Sequence, residues 1–219
     1  MKFTEQLYEQ VKDIWESYHN HPFVKGIGDG SLDIEKFKFF MVQDYLYLLQ
    51  YAKVFALGVI KAQTEPEMRF FAQSVEATLN GEMKLHKAYM QRLGITESDI
   101  ANAKTSLANS SYTKYMLSIA FEGDSADIMA AILACSWSYA EIGKRLNEIK
   151  GAAEHPLYGE WIKGYCSKEY VEQNEQLIEY TERLAEGCSD KKLERLSEIF
   201  TNCSRYEAGF WDMAWNMED

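Results

Sequence analysis

Apolar positions recur at intervals of three and four along almost the whole chain, the period of an α-helix with one buried face. Leu7, Val11, Ile14 and Tyr18 follow spacings of four, three and four and predict an amphipathic first helix. The run Gly26-Ile27-Gly28-Asp29-Gly30-Ser31 reads as a break, a flexible connector between helices. A long helical pattern then covers about residues 34–62. Thr64-Glu65-Pro66-Glu67 has the form of a capping box with proline in the first turn. It predicts a third helix that ends near Leu93-Gly94, with glycine as the stop. Residues 95–110 are polar and small and read as a connector. Further helices are expected over about 111–122, from the Asp124–Asp127 cap to about 150, and from His155-Pro156 as a short piece. Two more are expected over 167–186 and 190–217. There is no alternating strand pattern longer than a few residues, no internal repeat and no linker, so the expected fold is all-α, a helical bundle in one domain over 1–219.

Three of the apolar seams carry a residue that does not belong in a core. Phe37, Met41, Asp44, Leu48, Tyr51 and Phe55 share one helix face with an aspartate in its middle. Ile128, Ile132, Cys135, Tyr139 and Ile142 form a second face, with a thiol. Leu196, Phe200, Cys203, Glu207, Phe210 and Ala214 form a third, with a glutamate. Burying an ionised carboxylate is expensive unless it is paired and hydrogen-bonded. Tyr47 lies one turn past Asp44, and Tyr139 one turn past Cys135. Such groups serve as structural pairs with Arg, Lys or Tyr, or as inert small hydrophobes where the residue is Cys. Together they are also what covalent hydrolysis needs: a nucleophile, an acid and an orienting carboxylate.

Composition narrows the classes. The net charge of −11 speaks against nucleic acid and anionic membranes, which need a basic footprint. No run of about 18 apolar residues exists to span a bilayer. The start, Met1-Lys2-Phe3-Thr4-Glu5-Gln6, lacks the apolar core of a signal peptide. Cys135, Cys166, Cys188 and Cys203 form no C-x-x-C pair and read as reduced thiols of a cytoplasmic protein. Other signals are weak. Gly26, Gly28 and Gly30 follow no strand and lack the spacing of a phosphate loop. Glu16-x-x-His19 has no second Glu-x-x-His to complete a di-iron site, and a haem ligand among the N-terminal histidines is a minor alternative. His86, four residues after Glu82, reads as half of a surface pair.

Longer stretches carry a family pattern. His21-Pro22-Phe23-Val24-Lys25-Gly26-Ile27-Gly28-Asp29-Gly30, then Gln43-Asp44-Tyr45-Leu46-Tyr47 and Tyr51-Ala52-Lys53, resemble the start of the TenA, or thiaminase II, family. Ser111-Tyr112-Thr113 and Ala134-Cys135-Ser136-Trp137-Ser138-Tyr139 resemble its middle. Trp161-Ile162-Lys163-Gly164-Tyr165 and Tyr206-Glu207 with Phe210-Trp211-Asp212-Met213-Ala214 resemble its end. The resemblance implies a haem-oxygenase-like bundle, a homotetramer, a cytoplasmic location, a small-molecule substrate and no metal or organic cofactor. It implies hydrolysis of aminopyrimidines at the methylene carbon on the ring. 4-Amino-5-aminomethyl-2-methylpyrimidine would give the hydroxymethylpyrimidine and ammonia, and many members cleave thiamine in the same way. A non-catalytic thiamine- or pyrimidine-binding regulator on the same fold is the alternative.

Residue by residue, the resemblance makes Cys135 the nucleophile, Glu207 the acid that protonates the departing amine and Tyr47 the group that sharpens the thiol. Asp44 would pair with the amino group and ring nitrogen of the pyrimidine. Tyr112, Tyr139 and Tyr165 would hold or stack the ring, and Phe210 would wall it. A free thiol with a pKa near about 8.5 needs such a neighbour at neutral pH. The acid role also expects desolvation to raise Glu207. Glu207 is followed by Ala208-Gly209, smaller than the bulky residues of the family pattern, which puts the breadth of substrates in question.

Overall fold

The computed structural model describes residues 1–218, and every regular element among them is helical. The chain divides into two compact units, one of Met1–Asp33 with Met129–Trp211 and one of Ile34–Ile128 with the chain from Asp212 onward.

In the first unit, α1 (Phe3–Asn20) starts at a long-range cap. The Glu182 carboxylate accepts the Phe3 and Thr4 backbone N–H groups at 3.0 and 2.8 Å, supplying partners that a helix start lacks. His21 closes α1, and its Nδ1 accepts the Phe23 N–H at 3.2 Å to open α2 (Pro22–Asp29). The glycine-rich run is therefore helix up to Asp29, not the expected break. Its glycines serve close packing. A Cβ on Gly28 would sit 2.8 Å from both Leu146 and Ile149, and one on Gly26 would sit 3.0 Å from Leu32. Only Gly30, at φ 77°, uses the left-handed region, to end the helix.

The rest of this unit is the body of α8 (Ser125–Asn147), then α9 (Gly159–Tyr165), α10 (Lys168–Ala185) and most of α11 (Asp190–Asn216). α9 begins four residues after its expected start, because His155 Nδ1 accepts the Leu157 and Tyr158 N–H groups at 3.2 and 3.3 Å and makes a turn there. The stretch Ile128 to Ala134 of α8 is fully buried, as expected of a helix apolar all round. Trp15, Trp137, Tyr8 and Phe200 form an aromatic cluster, with Trp15 placed 5.6 to 5.8 Å from the other three rings.

In the second unit α3 (Ile34–Lys61) packs on α4 (Glu65–Glu76), α5 (Met83–Arg92) and α7 (Leu107–Glu122). The Thr64 hydroxyl accepts the Glu67 N–H at 3.4 Å, as the capping pattern predicts, while Glu67 reaches back to the Gln63 N–H at 2.8 Å. A short helix, α6 (Glu97–Asn102), interrupts the expected connector, and α7 begins four residues early on a Ser106 cap.

Between α4 and α5 the helix widens into one π-helical segment, Ala77–Glu82. The buried positions show why. Phe71 and Thr78 are two helical turns apart, and the next buried residues are Met83, His86, Tyr89 and Met90. The step from Thr78 to Met83 is five, one residue too many for an α-helix. The π turn absorbs that residue. Leu85, which an uninterrupted helix would bring to the Phe71 face, is 68% exposed, and His86 takes its place. His86 is therefore not half of a surface pair: it is 6% exposed.

Candidate active site

All three anomalous seams are buried as their periodicity predicts: Asp44 is 4%, Cys135 9% and Glu207 2% exposed. The candidate residues fall into two groups, one in each unit.

In the first unit, Cys135 and Glu207 share a neighbour, Tyr18, which is 1% exposed. The Tyr18 hydroxyl donates to the Ser204 carbonyl. Burial, followed by the Glu207 charge, pushes this phenol well above its ordinary pKa, and Cys135 and Cys203 add to the effect. Tyr18 thus stays a neutral hydroxyl beside three acidic side chains, able to donate a hydrogen bond but not to take a proton. Cys203 is a second thiol in the same neighbourhood. Burial, and then the Glu207 charge, raise its pKa far above the ordinary thiol range, so it remains an inert thiol. The aromatic candidates form one cluster: the Tyr139 ring lies 4.8 Å from Tyr165, 5.4 Å from Trp211 and 6.1 Å from Trp161. Phe210, one turn after Glu207 with respect to the helix face, is 2% exposed.

In the second unit, Asp44 and Tyr47 project from α3 and Tyr112 from α7. The Tyr47 and Tyr112 rings are 5.3 Å apart, and Tyr47 also stacks on Tyr51 at 5.5 Å. The Tyr47 hydroxyl donates to Met116 Sδ at 3.7 Å. Asp44 Oδ2 lies 3.1 Å from His86 Nε2, a contact of ion-pair length that is bent away from ideal hydrogen-bond alignment.

No three His, Cys, Asp or Glu side chains among the described residues gather as metal ligands. Glu16, of the Glu-x-x-His unit, pairs instead with Arg145 at 2.7 Å. No helix among the described residues is long and apolar enough to cross a membrane.

Residues 8–217 match the TENA/THI-4/PQQC family profile. The chain belongs to the TENA/THI-4/PQQC family. Across 99% of its length it is 49% identical to a Halalkalibacterium halodurans protein named aminopyrimidine aminohydrolase, 96% of which is covered. A solved TenA homologue from P. horikoshii OT3 superposes with a TM-score of 0.91 at 30% identity, over 99% of both chains. A Shewanella denitrificans domain with a haem-oxygenase-like fold superposes with a TM-score of 0.79 at 18% identity, over 97% of this chain and 92% of that one. The expected all-α, haem-oxygenase-like TenA fold is thereby established.

Two residues of this TENA/THI-4/PQQC member lie against candidate groups with which the sequence pattern did not connect them. Tyr18 looked like one more core position of α1. Its hydroxyl was the available clue, since a buried phenol needs a polar partner. His86 was hidden by the π turn, which has no signature in an apolar period of 3.6.

Proposed function

We propose that the protein is an aminopyrimidine aminohydrolase, a hydrolase of C–N bonds in thiamine salvage. The supporting observation is the 49% identity, over nearly all of both chains, to a relative named for that activity. The preferred substrate is 4-amino-5-aminomethyl-2-methylpyrimidine, converted with water to the 5-hydroxymethyl compound and ammonia. Thiamine, cleaved to the same pyrimidine and the thiazole, is the second substrate. The chain acts as one domain, in a cytoplasmic homotetramer, and binds no nucleic acid.

In this reading Cys135 is the nucleophile. Its sulfur adds to an electron-poor ring carbon, and the ring's electron pair then expels the amine from the exocyclic methylene. Glu207 delivers a proton to that amine as the C–N bond breaks. Water adds to the methylene carbon and loses a proton, and departure of the thiolate restores the aromatic ring. The net change is C–NH2 plus water to C–OH plus ammonia. Asp44 recognises the amino group and ring nitrogen, Tyr47 sharpens the thiol, and Tyr112, Tyr139, Tyr165 and Phe210 hold the ring. The inert Cys203 supports the choice of Cys135, since it removes the other buried thiol from contention.

The test is ammonia release from the aminomethylpyrimidine, with thiamine consumption followed in parallel. Wild-type protein is expected to turn over both. Cys135→Ser is expected to lose about a thousandfold or more in rate while still binding the pyrimidine. Full activity in the variant removes the nucleophile. Binding without turnover by the wild type replaces the enzyme with a ligand-binding regulator.

A further inference from the structure

His86 has no part in the reaction just described, yet it is the group that Asp44 faces. The two side chains are 7% and 5% exposed, and neither Nε2 nor Oδ2 has any other hydrogen-bond partner. The π-helical segment Ala77–Glu82 brings them together by turning Met83, His86 and Met90 inward in place of Leu85. Such insertions commonly occur at functional sites. Burial alone would keep the imidazole neutral. Asp44 on α3 and Glu82 on the π segment outweigh it and hold the ring's pKa above the ordinary value. Lys87, the next residue on α5, is held over the Tyr45 ring instead, at 5.7 Å.

An aspartate carboxylate turns freely about its last bond, so recognition of two adjacent ring groups requires that it be held. We propose that His86 is a positioning residue: it pins Oδ2 of Asp44, so that the carboxylate meets the amino group and ring nitrogen of a 4-aminopyrimidine in a single orientation. The inference rests on the proposed function at one point, the pairing of Asp44 with the pyrimidine. It adds a residue that acts on substrate binding and not on the chemical step. The charge of the pair also matters. As pH rises through the His86 pKa the imidazole loses its proton, the contact loses its ionic part, and binding weakens.

The experiment is the pH dependence of kcat and KM for ammonia release between pH 6 and 9, on wild type, His86→Gln and His86→Phe, with a melting curve for each. The glutamine amide reaches the Nε2 position without a charge, and phenylalanine fills the space without a donor. His86→Gln is expected to fold, to keep kcat within about threefold and to raise KM about tenfold. It is also expected to lose the rise in KM that the wild type shows at high pH. His86→Phe raises KM further. A folded His86→Gln with the wild-type KM and pH profile overturns the proposal.

A second measurement needs no variant: the His86 imidazole titration followed by NMR in the intact protein, with and without 4-amino-2-methylpyrimidine. The pyrimidine shifts this titration if His86 acts through Asp44, and an unmoved titration overturns the positioning role. Wild type that releases no ammonia, but whose His86 titration moves, upholds that role and overturns the hydrolase reading. Turnover with an unmoved titration does the reverse.

Discussion

At the scale of single residues, the long-range contact that matters most for the start of the chain is made by Glu182. Its carboxylate accepts two backbone N–H groups and the Thr4 hydroxyl, the last at 2.9 Å, at the positive end of α1. Partial burial works against its ionised form, but these hydrogen bonds, with Lys2 nearby, prevail and hold its pKa below the usual glutamate value. A carboxylate with a depressed folded pKa adds stability above its unfolded value, and that stability is lost as pH falls through the folded one. Glu182→Gln keeps one acceptor oxygen and loses the charge. It is expected to cost about 1 kcal/mol at pH 7, the size of a lost helix cap. For a chain of this length that corresponds to a melting temperature lower by about 2–4 °C. The difference should vanish once pH has fallen through the depressed folded pKa and the wild-type carboxyl is itself protonated; a gap that persists there excludes the charge as its origin.

At the scale of elements, the boundary between α4 and α5 explains both what could be read in the sequence and what could not. The Thr64 cap was legible because it is local, its hydroxyl accepting the backbone N–H three residues on, whereas the Ser106 cap, inside a polar stretch, was not. The seams were legible because a period of 3.6 marks a buried face, and Asp44, Cys135 and Glu207 sit where their seams put them. The π turn was not legible, because one extra residue only shifts the phase of the pattern, and His86 was misjudged with it. Gly26 and Gly28 looked like part of a flexible connector because composition does not reveal which neighbour approaches closely. The two parts of the candidate site were linked in the sequence only by the family pattern, since periodicity assigns a face to each helix and no partner.

The π turn makes a prediction with opposite signs for opposite edits. Gly81 is exposed, and a Cβ there would meet nothing within 4 Å. Removing it leaves fourteen residues from Phe71 to His86, which an ordinary α-helix spans on one face. The variant is expected to melt within about 4 °C of wild type. Inserting one alanine after Gly81 turns α5 by about 100° and carries Met83, His86 and Met90 off the buried face. Besides the lost apolar packing, it leaves Asp44 buried without its counterpart, a loss of about 3–5 kcal/mol. Melting curves of the two variants decide the matter, and equal effects would show that the segment does not set the register.

At the scale of the whole molecule, two histidines, one in each unit, are shifted in opposite directions. His19, in the first unit, is half-buried; burial and then the Arg145 charge lower its pKa to about 4, against an opposing pull from Glu16. Below the ordinary value of about 6.5 the unfolded chain takes up a proton that the folded unit refuses, so this contribution is lost as pH falls from about 6.5 toward 4. His86, in the second unit, is shifted the other way by Asp44 and Glu82 despite its burial. There the folded state holds the proton more tightly. That contribution is complete below about 6.5 and is lost as pH rises through the elevated folded value. The two units should therefore weaken at opposite ends of the pH range. Native-state hydrogen exchange followed by segment is the direct measurement, with rates corrected for intrinsic pH dependence. Moving from pH 7 to 5 is expected to reduce protection in residues 1–33 and 129–211, and moving to pH 9 to reduce it in residues 34–128. His19→Asn should flatten the acid response and His86→Gln the alkaline one, each leaving the other in place. A single response shared by all segments, in both directions, would mean that neither histidine governs the unit in which it lies.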